Sequence, residues 1–353
     1  MMIAATIAVS GCGNTQVKSD LTLIIGTYTS TGSKGIYTYR FNQESLKVTP
    51  LAECEVSNPS FMTLSSDNSL LYTVSEGDEK NSAMVAYKFD IDSGELEFID
   101  KTAVDAAPCH IWLDEERSFV ASANYVGGSL AIRAIDKDGA FVPSSAANID
   151  ISGLTDRQAH IHCIQIAPWG NSLFATDLGN DAIYNFSLEG AKLLAQDTTF
   201  LPKGSGPRHL TFNNAGDRAY LINELSGYVA VYRVENSKLV EMQSILADSS
   251  NAGGSADIHL SPDEKFLYAS TRLEGDGITI FRVKEDGSLE KIGYQATGKH
   301  PRNFAITPDG SLLLVACRDS DCVQIFQRDV STGLLQNSEV IISLNTPVFV
   351  KFL

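Results

Sequence analysis

Seven times along the chain a short apolar strand opens at a proline-like corner, and a second strand follows to end in a polar or charged residue. The openings are Asn58-Pro59-Ser60-Phe61, Ala107-Pro108-Cys109-His110, His160-Ile161-His162-Cys163, Gly206-Pro207-Arg208-His209, Gly254-Ser255-Ala256-Asp257, His300-Pro301-Arg302-Asn303 and Thr346-Pro347-Val348-Phe349. The steps between their second residues are 49, 53, 46, 48, 46 and 46. A period of this length, holding about four short strands, is that of propeller blades. The expected fold is therefore all-β, a seven-bladed β-propeller.

The interior of each unit supports this. Phe304-Ala305-Ile306 leads into the turn Pro308-Asp309-Gly310 and then the apolar run Leu312 to Ala316. Ser66-Asp67-Asn68, Pro168-Trp169-Gly170, Asn214-Ala215-Gly216 and Pro262-Asp263-Glu264 are equivalent turns, with the residue types that tight hairpins need. Alternating third strands follow, as in Val229 to Val234 or Gly277 to Val283. After the seventh opening only the segment to Leu353 remains, so Leu21 to Gly26, Gly35 to Phe41 and Leu46 to Glu53 are expected to complete that blade. Pairing of N- and C-terminal strands would close the ring and remove its exposed sheet edges.

No Pro/Ser/Gly-rich linker or charge block interrupts the period, so residues 21–353 read as one domain. A net charge of -16 gives little material for the basic face that a nucleic-acid partner requires. Residues 1–20 read as a lipoprotein-type signal and tether. Met1 to Val9 is apolar, Val9-Ser10-Gly11-Cys12 resembles the lipobox in which the cysteine is lipidated, and Asn14 to Asp20 is polar. This predicts a domain held at the cell envelope by a lipid on Cys12, its only membrane attachment. The missing Lys or Arg before the apolar run keeps the cytoplasm as the alternative. The other cysteines, Cys54, Cys109, Cys163, Cys317 and Cys322, form no CxxC pair and suggest neither a zinc cluster nor a disulfide framework; Cys317 and Cys322 flank a hairpin turn.

Innermost strands line the central channel of a propeller, so matching positions form rings around it. The position after the corner residue is Ser60, Cys109, His162, Arg208, Ala256, Arg302 and Val348. The end of the second strand is Glu76, Tyr125, Leu178, Glu224, Arg272 and Arg318. Two carboxylates, four guanidiniums and an imidazole thus fall in two columns, and such convergence marks a site rather than a wet wall. His160 and His162, two apart on a strand, are expected on one face. Guanidiniums bind carboxylate or phosphate bidentately, and His or Glu can activate water. The same His160-x-His162 pair could instead ligate a metal. No GxSxG, HExxH or GxxxxGK[ST] is present, and two tryptophans, Trp112 and Trp169, are too few for the docking motifs of a quinone-dependent propeller dehydrogenase.

Gly26-Thr27-Tyr28-Thr29, Asn58-Pro59-Ser60-Phe61, Asn124-Tyr125 with Gly127-Gly128-Ser129, His160-x-His162, Asp177-Leu178-Gly179-Asn180-Asp181, Gly206-Pro207-Arg208-His209 and Ser270-Thr271-Arg272 occur in order over residues 21–353. In these motifs the chain resembles the propeller-type lactonase family, and it is similar to fungal cycloisomerases that open and close a muconolactone ring. The resemblance implies hydrolysis of a sugar lactone, with 6-phospho-D-glucono-1,5-lactone and water giving 6-phosphogluconate in the pentose phosphate pathway, and no metal or other cofactor. It also implies catalytic roles for His162 or His160, Arg208, Glu224 and Arg272. Arg302, Arg318, Glu76 and His209 complete the set as expected substrate contacts. An envelope location conflicts with a phosphorylated intracellular substrate, so an unphosphorylated aldonolactone is the alternative substrate. A non-catalytic binding or scaffold propeller is the alternative from another class.

Overall fold

The computed structural model of the chain describes residues 20–151 and 157–353. Its strands form seven four-stranded antiparallel sheets. Blades 1 to 6 follow in chain order over residues 62–103, 108–150, 161–200, 207–246, 258–296 and 301–343. Blade 7 joins the two ends of the chain: Pro347–Phe352 is its inner strand and pairs with Asp20–Thr27, followed outward by Gly35–Asn42 and Val48–Glu55. Leu23 stands opposite Phe352 and Gly26 opposite Phe349. The expected closure is therefore present, with Asp20 already part of the first strand, where it pairs with Asn42. The remaining leader residues, with Cys12, lie outside the described residues.

Each sheet is covered on both faces by its neighbours, which explains why second strands such as Leu312–Cys317 are apolar and buried along their whole length. The core is a series of layers between blades. Leu23, Ile25 and Phe41 of blade 7 meet Leu312, Leu314, Val323 and Ile325 of blade 6. Ile222, Val229 and Val231 of blade 4 meet Ile258, Leu267 and Phe281 of blade 5. Outer strands alternate between exposed and half-buried positions, as in Leu96–Ala103.

Three of the turns after the inner strands, in blades 1, 5 and 6, are built by one device. The hydroxyls of Ser65, Ser261 and Thr307 donate to Asp67, Asp263 and Asp309 at 2.6, 2.6 and 2.7 Å. The next residue, Asn68, Glu264 or Gly310, takes a positive φ of 59°, 55° or 74°. The longest repeat step belongs to blade 2, whose last strand, Ala147–Asp150, follows a short 3-10 turn at Pro143–Ser145. Cys317 and Cys322 lie directly opposite one another across a hairpin, both as free thiols.

Candidate active site

The corner that opens each inner strand is tied to the end of the second strand by the same hydrogen bond in all seven blades. The backbone N–H groups of Tyr28, Glu76, Tyr125, Leu178, Glu224, Arg272 and Arg318 donate to the carbonyls of Thr346, Asn58, Ala107, His160, Gly206, Gly254 and His300. This bond places the two columns side by side at one end of the channel. Tyr28 is the seventh member of the second column. Reading the repeats from residue 58 onward misses it, because blade 7 is split between the chain ends.

A regular strand sends only alternate side chains toward the axis. Here bulges interrupt the pairing, leaving Cys109, His162, Arg208, Arg302 and Val348 without a partner in the ladder. Bulges re-aim side chains in this way, and two successive residues per strand then converge on the channel. The upper layer carries His162, Arg208 and Arg302. The layer beneath carries Phe61, His110, His209, Asp257, Asn303 and Phe349: between ring centroids Phe61 lies 4.9 Å from Phe349 and 4.0 Å from His110 on the neighbouring blades, and 5.9 Å from His209 across the ring.

In the upper layer Glu224 bridges two guanidiniums. Its carboxylate lies 2.8 Å from Arg208 Nε and 3.0 Å from Arg272 Nη2. Arg208 is 2% exposed and Arg272 5%. Arg208 Nη1 also donates to the Ala256 carbonyl at 2.6 Å, and Arg272 Nε to the Gly254 carbonyl at 2.7 Å. Burial pushes the Glu224 carboxyl up, but Arg208, Arg272 and Arg302 together hold it below the usual carboxylate value, so it is ionised at neutral pH.

Arg302 differs from this pair. Its nearest carboxylate, on Glu76, is 4.0 Å away, its guanidinium stands 5.3 Å from the centre of the Tyr28 ring, and no hydrogen bond ties it to any described residue. Tyr28 donates its hydroxyl to Glu76 at 3.1 Å. Two buried guanidiniums and the half-buried one of Arg302 therefore face two carboxylates, leaving an excess positive charge at the mouth.

His160 precedes the inner strand Ile161–Ile166, and the bulge at His162 breaks the alternation on which a shared strand face depends. The two rings nevertheless meet on one side chain: His160 stacks on Tyr125 at 4.5 Å, and His162 meets it edge-on at 5.6 Å. The Asp177-Leu178-Gly179-Asn180-Asp181 motif sets this corner. Asp177 accepts from the His160 backbone N–H at 2.8 Å, and a Cβ at Gly179 would lie 2.9 Å from the His160 ring and 2.2 Å from the Gln158 carbonyl. Asp181 accepts from the N–H groups of Gly204 and Gly206 at 3.0 and 2.8 Å, fixing the opening that presents Arg208. Burial, then the charges of Arg208, His209 and Arg302, hold His162 well below the ordinary imidazole value, so its ring is neutral. Among the described residues no group of three or more His, Cys, Asp or Glu is placed to hold a metal ion.

The structure thus brings His160, His162, Arg208, Glu224, Arg272, Glu76 and Arg302 to one end of the channel. Arg318 lies at the rim, where Asp319 takes its Nε and Nη2 at 2.6 and 3.0 Å. His209, expected as a substrate contact, sits in the layer beneath. It lies under Arg208 with both ring nitrogens engaged, at 3.2 Å to Arg208 and 2.7 Å to Asp257. His300, which the column reading passed over, holds the corresponding place beside Arg272 at 3.2 Å. Asp257 and Asn303 were legible only by reading one column further along the repeats.

Comparison with known proteins agrees with this architecture. Residues 22–352 match the family model described as lactonase, 7-bladed beta-propeller. A 6-phosphogluconolactonase of Formosa agariphila is 37% identical over 334 residues, 89% of this chain and 94% of that protein. A Bacteroides fragilis protein of known structure is 42% identical and superposes with a TM-score of 0.91 over 97% of this chain and 100% of its own. The periplasmic gluconolactonase of Pseudomonas aeruginosa is 31% identical, with a TM-score of 0.87 over 95% of this chain and 99% of its own. With the ring closed as the repeats require and the family matched over nearly its full length, the chain belongs to the seven-bladed β-propeller lactonases.

Proposed function

We propose that the chain hydrolyses 6-phospho-D-glucono-1,5-lactone to 6-phosphogluconate at the Arg208–Glu224–Arg272 end of the channel. The observation that carries this reading is the excess positive charge at the mouth, above all a half-buried Arg302 guanidinium with no hydrogen bond to a described residue. Such a group suits an anionic substrate or the oxyanion of a tetrahedral intermediate. Water adds to the lactone carbonyl, the carbonyl oxygen takes up negative charge, and the ring C–O bond then breaks as its oxygen is protonated. The acid formed loses a proton, so one equivalent is released per turnover.

Both Glu224 oxygens are committed to arginines, which makes it a weak base and a good anchor. His162, neutral and in the same layer, is the better acceptor for the proton of the attacking water. Arg208, Arg272 and Arg302 stabilise the oxyanion, and positioned donors of this kind contribute about 100-fold to 1,000-fold each.

Similarity to a 6-phosphogluconolactonase supports the phosphorylated substrate. Similarity to a periplasmic gluconolactonase, together with the lipobox at Cys12, supports a second reading: an unphosphorylated aldonolactone opened at the cell envelope. Initial rates on 6-phosphogluconolactone, glucono-1,5-lactone and galactono-1,4-lactone, corrected for spontaneous opening, separate the two. A kcat/KM at least tenfold higher for the phosphorylated lactone supports the first reading, and the reverse order supports the second. Failure to accelerate any of them overturns both. Membrane fractionation of the wild type and Cys12→Ala tests the location; an unchanged cytosolic distribution would remove the anchor.

A further inference from the structure

Directly beneath Arg208 lies a carboxylate that the proposed chemistry does not use. Asp257 is buried and accepts five hydrogen bonds. His209 Nδ1 at 2.7 Å and the Ile258 N–H at 3.0 Å reach Oδ1; His259 Nε2 at 2.9 Å, Asn303 Nδ2 at 2.6 Å and the Phe304 N–H at 3.2 Å reach Oδ2. It therefore ties blades 4, 5 and 6 together under the site.

The donor and acceptor chemistry of the chain above it leaves one arrangement. A guanidinium can only donate and an ionised carboxylate can only accept. His209 stands between them, with Nε2 3.2 Å from Arg208 Nη1 and Nδ1 2.7 Å from Asp257. Its proton must sit on Nδ1, so that Nε2 can accept from Arg208. The ring must also be neutral, since an imidazolium would set two donors against each other. Burial, then the Arg208 charge, pull its pKa down to about 4 against the opposing pull of Asp257. The other groups around the ring are His110, His162 and Phe61, at 5.6, 5.3 and 5.9 Å between centroids. His259 reaches the other oxygen of the same carboxylate at 2.9 Å.

We propose that Asp257 is a positioning residue for the lactonase reaction: by holding His209 as the Nδ1–H tautomer, it fixes the guanidinium of Arg208 toward the reacting carbonyl. The proposal rests on the functional reading above for its kinetic consequence, but not for its structural core. Asp257→Asn offers an amide whose NH2 can donate to His209 Nδ1. The ring proton then moves to Nε2 and meets Arg208 donor against donor. Loss of such a supporting partner typically costs about 10-fold to 100-fold in activity, and here the fall belongs to kcat, because Arg208 acts on the transition state more than on bound substrate.

Nitrogen NMR of 15N-histidine-labelled protein tests the tautomer directly, with His209→Asn used to assign the resonance among the six histidines. We expect a neutral Nδ1–H ring in the wild type from pH 8 to 5.5, and a shift toward Nε2–H in Asp257→Asn. Kinetics of the same variant should show a fall in kcat with KM within about threefold, measured beside its melting curve. A wild-type His209 that carries its proton on Nε2, or that titrates near the ordinary 6.5, overturns the proposal even if the variant does not fold. So does an Asp257→Asn protein with the wild-type tautomer and kcat. If the wild type opens no lactone, the functional reading fails while the tautomer measurement still decides this one.

Discussion

Replacing Glu224 by glutamine should weaken both the fold and the reaction, and the structure sets the size of each effect. The substitution keeps the shape of the side chain but removes the charge between Arg208 Nε at 2.8 Å and Arg272 Nη2 at 3.0 Å. Glutamine has one acceptor oxygen, so its NH2 must face the other guanidinium. Removing one partner of a buried ion pair costs about 3–5 kcal/mol. The Glu224 side chain is 22% exposed, which places the loss near the lower end, about 3 kcal/mol. For a domain of roughly 330 residues the unfolding entropy is about 0.7 kcal/mol/K, so the melting temperature should fall by roughly 4 °C. With both arginines released to repel one another, the oxyanion loses its placed donors, and kcat should fall about 100-fold. Calorimetry gives the first quantity, and a pH-indicator assay corrected for spontaneous opening gives the second. A Glu224→Gln protein with wild-type melting and wild-type rates on every lactone tested would refute the reasoning.

Three further outcomes follow from the same structure. Deleting residues 346–353 removes Val348, Phe349 and Val350, which are 0%, 4% and 3% exposed. At about 1.5–3 kcal/mol per buried side chain this is roughly 5–9 kcal/mol, comparable to the whole stability of a domain at about 5–15 kcal/mol; the truncated chain should fail to melt cooperatively, and an unchanged urea transition would contradict the closure argument. His110, His162, His209 and His300 all sit below the ordinary imidazole value, with burial the first cause in each. The unfolded chain therefore binds more protons than the native one as pH falls through 6.5, and each histidine removes about 1.4 kcal/mol per pH unit below that. The urea midpoint should drop steeply from pH 6.5 toward 4 and level off above 7; a midpoint equal at pH 7 and 5 would count against four buried neutral rings. Asp319→Asn should cost less activity than Asp257→Asn, because Asp319 reaches His300 only at 3.5 Å, is 45% exposed and is shared with Arg318; kcat compared between the two variants checks the order.

The fold was legible because its physics is periodic. Seven corners at a nearly constant step, the first six each followed by a tight hairpin with one residue at positive φ, leave few alternatives to a closed ring. The upper layer of the site was legible for the same reason, since Arg208, Glu224, Arg272 and Arg302 occupy repeat-equivalent positions. What strand alternation hides is the bulge. A residue added to one strand changes which side chains face the axis, and nothing in Pro207-Arg208-His209 announces it, so the place of His209 beneath Arg208 and its link to Asp257 were not legible. Tyr28 was missed for a topological reason, because the blade that holds it is assembled from both chain ends. For His160 and His162 the face argument fails at the bulge, although both rings still reach Tyr125.

The central claim is that lactone chemistry takes place between Arg208, Arg272 and Arg302. A crystal structure of the protein with its hydrolysis product, 6-phosphogluconate or gluconate, tests this most directly. The account predicts the new carboxylate within hydrogen-bond distance of Arg302 and of at least one of Arg208 and Arg272, with C1 facing His162. A product bound only elsewhere, such as the groove beside Tyr184, Asn185 and Phe200 on the flank of blade 3, with the three guanidiniums untouched, would contradict it.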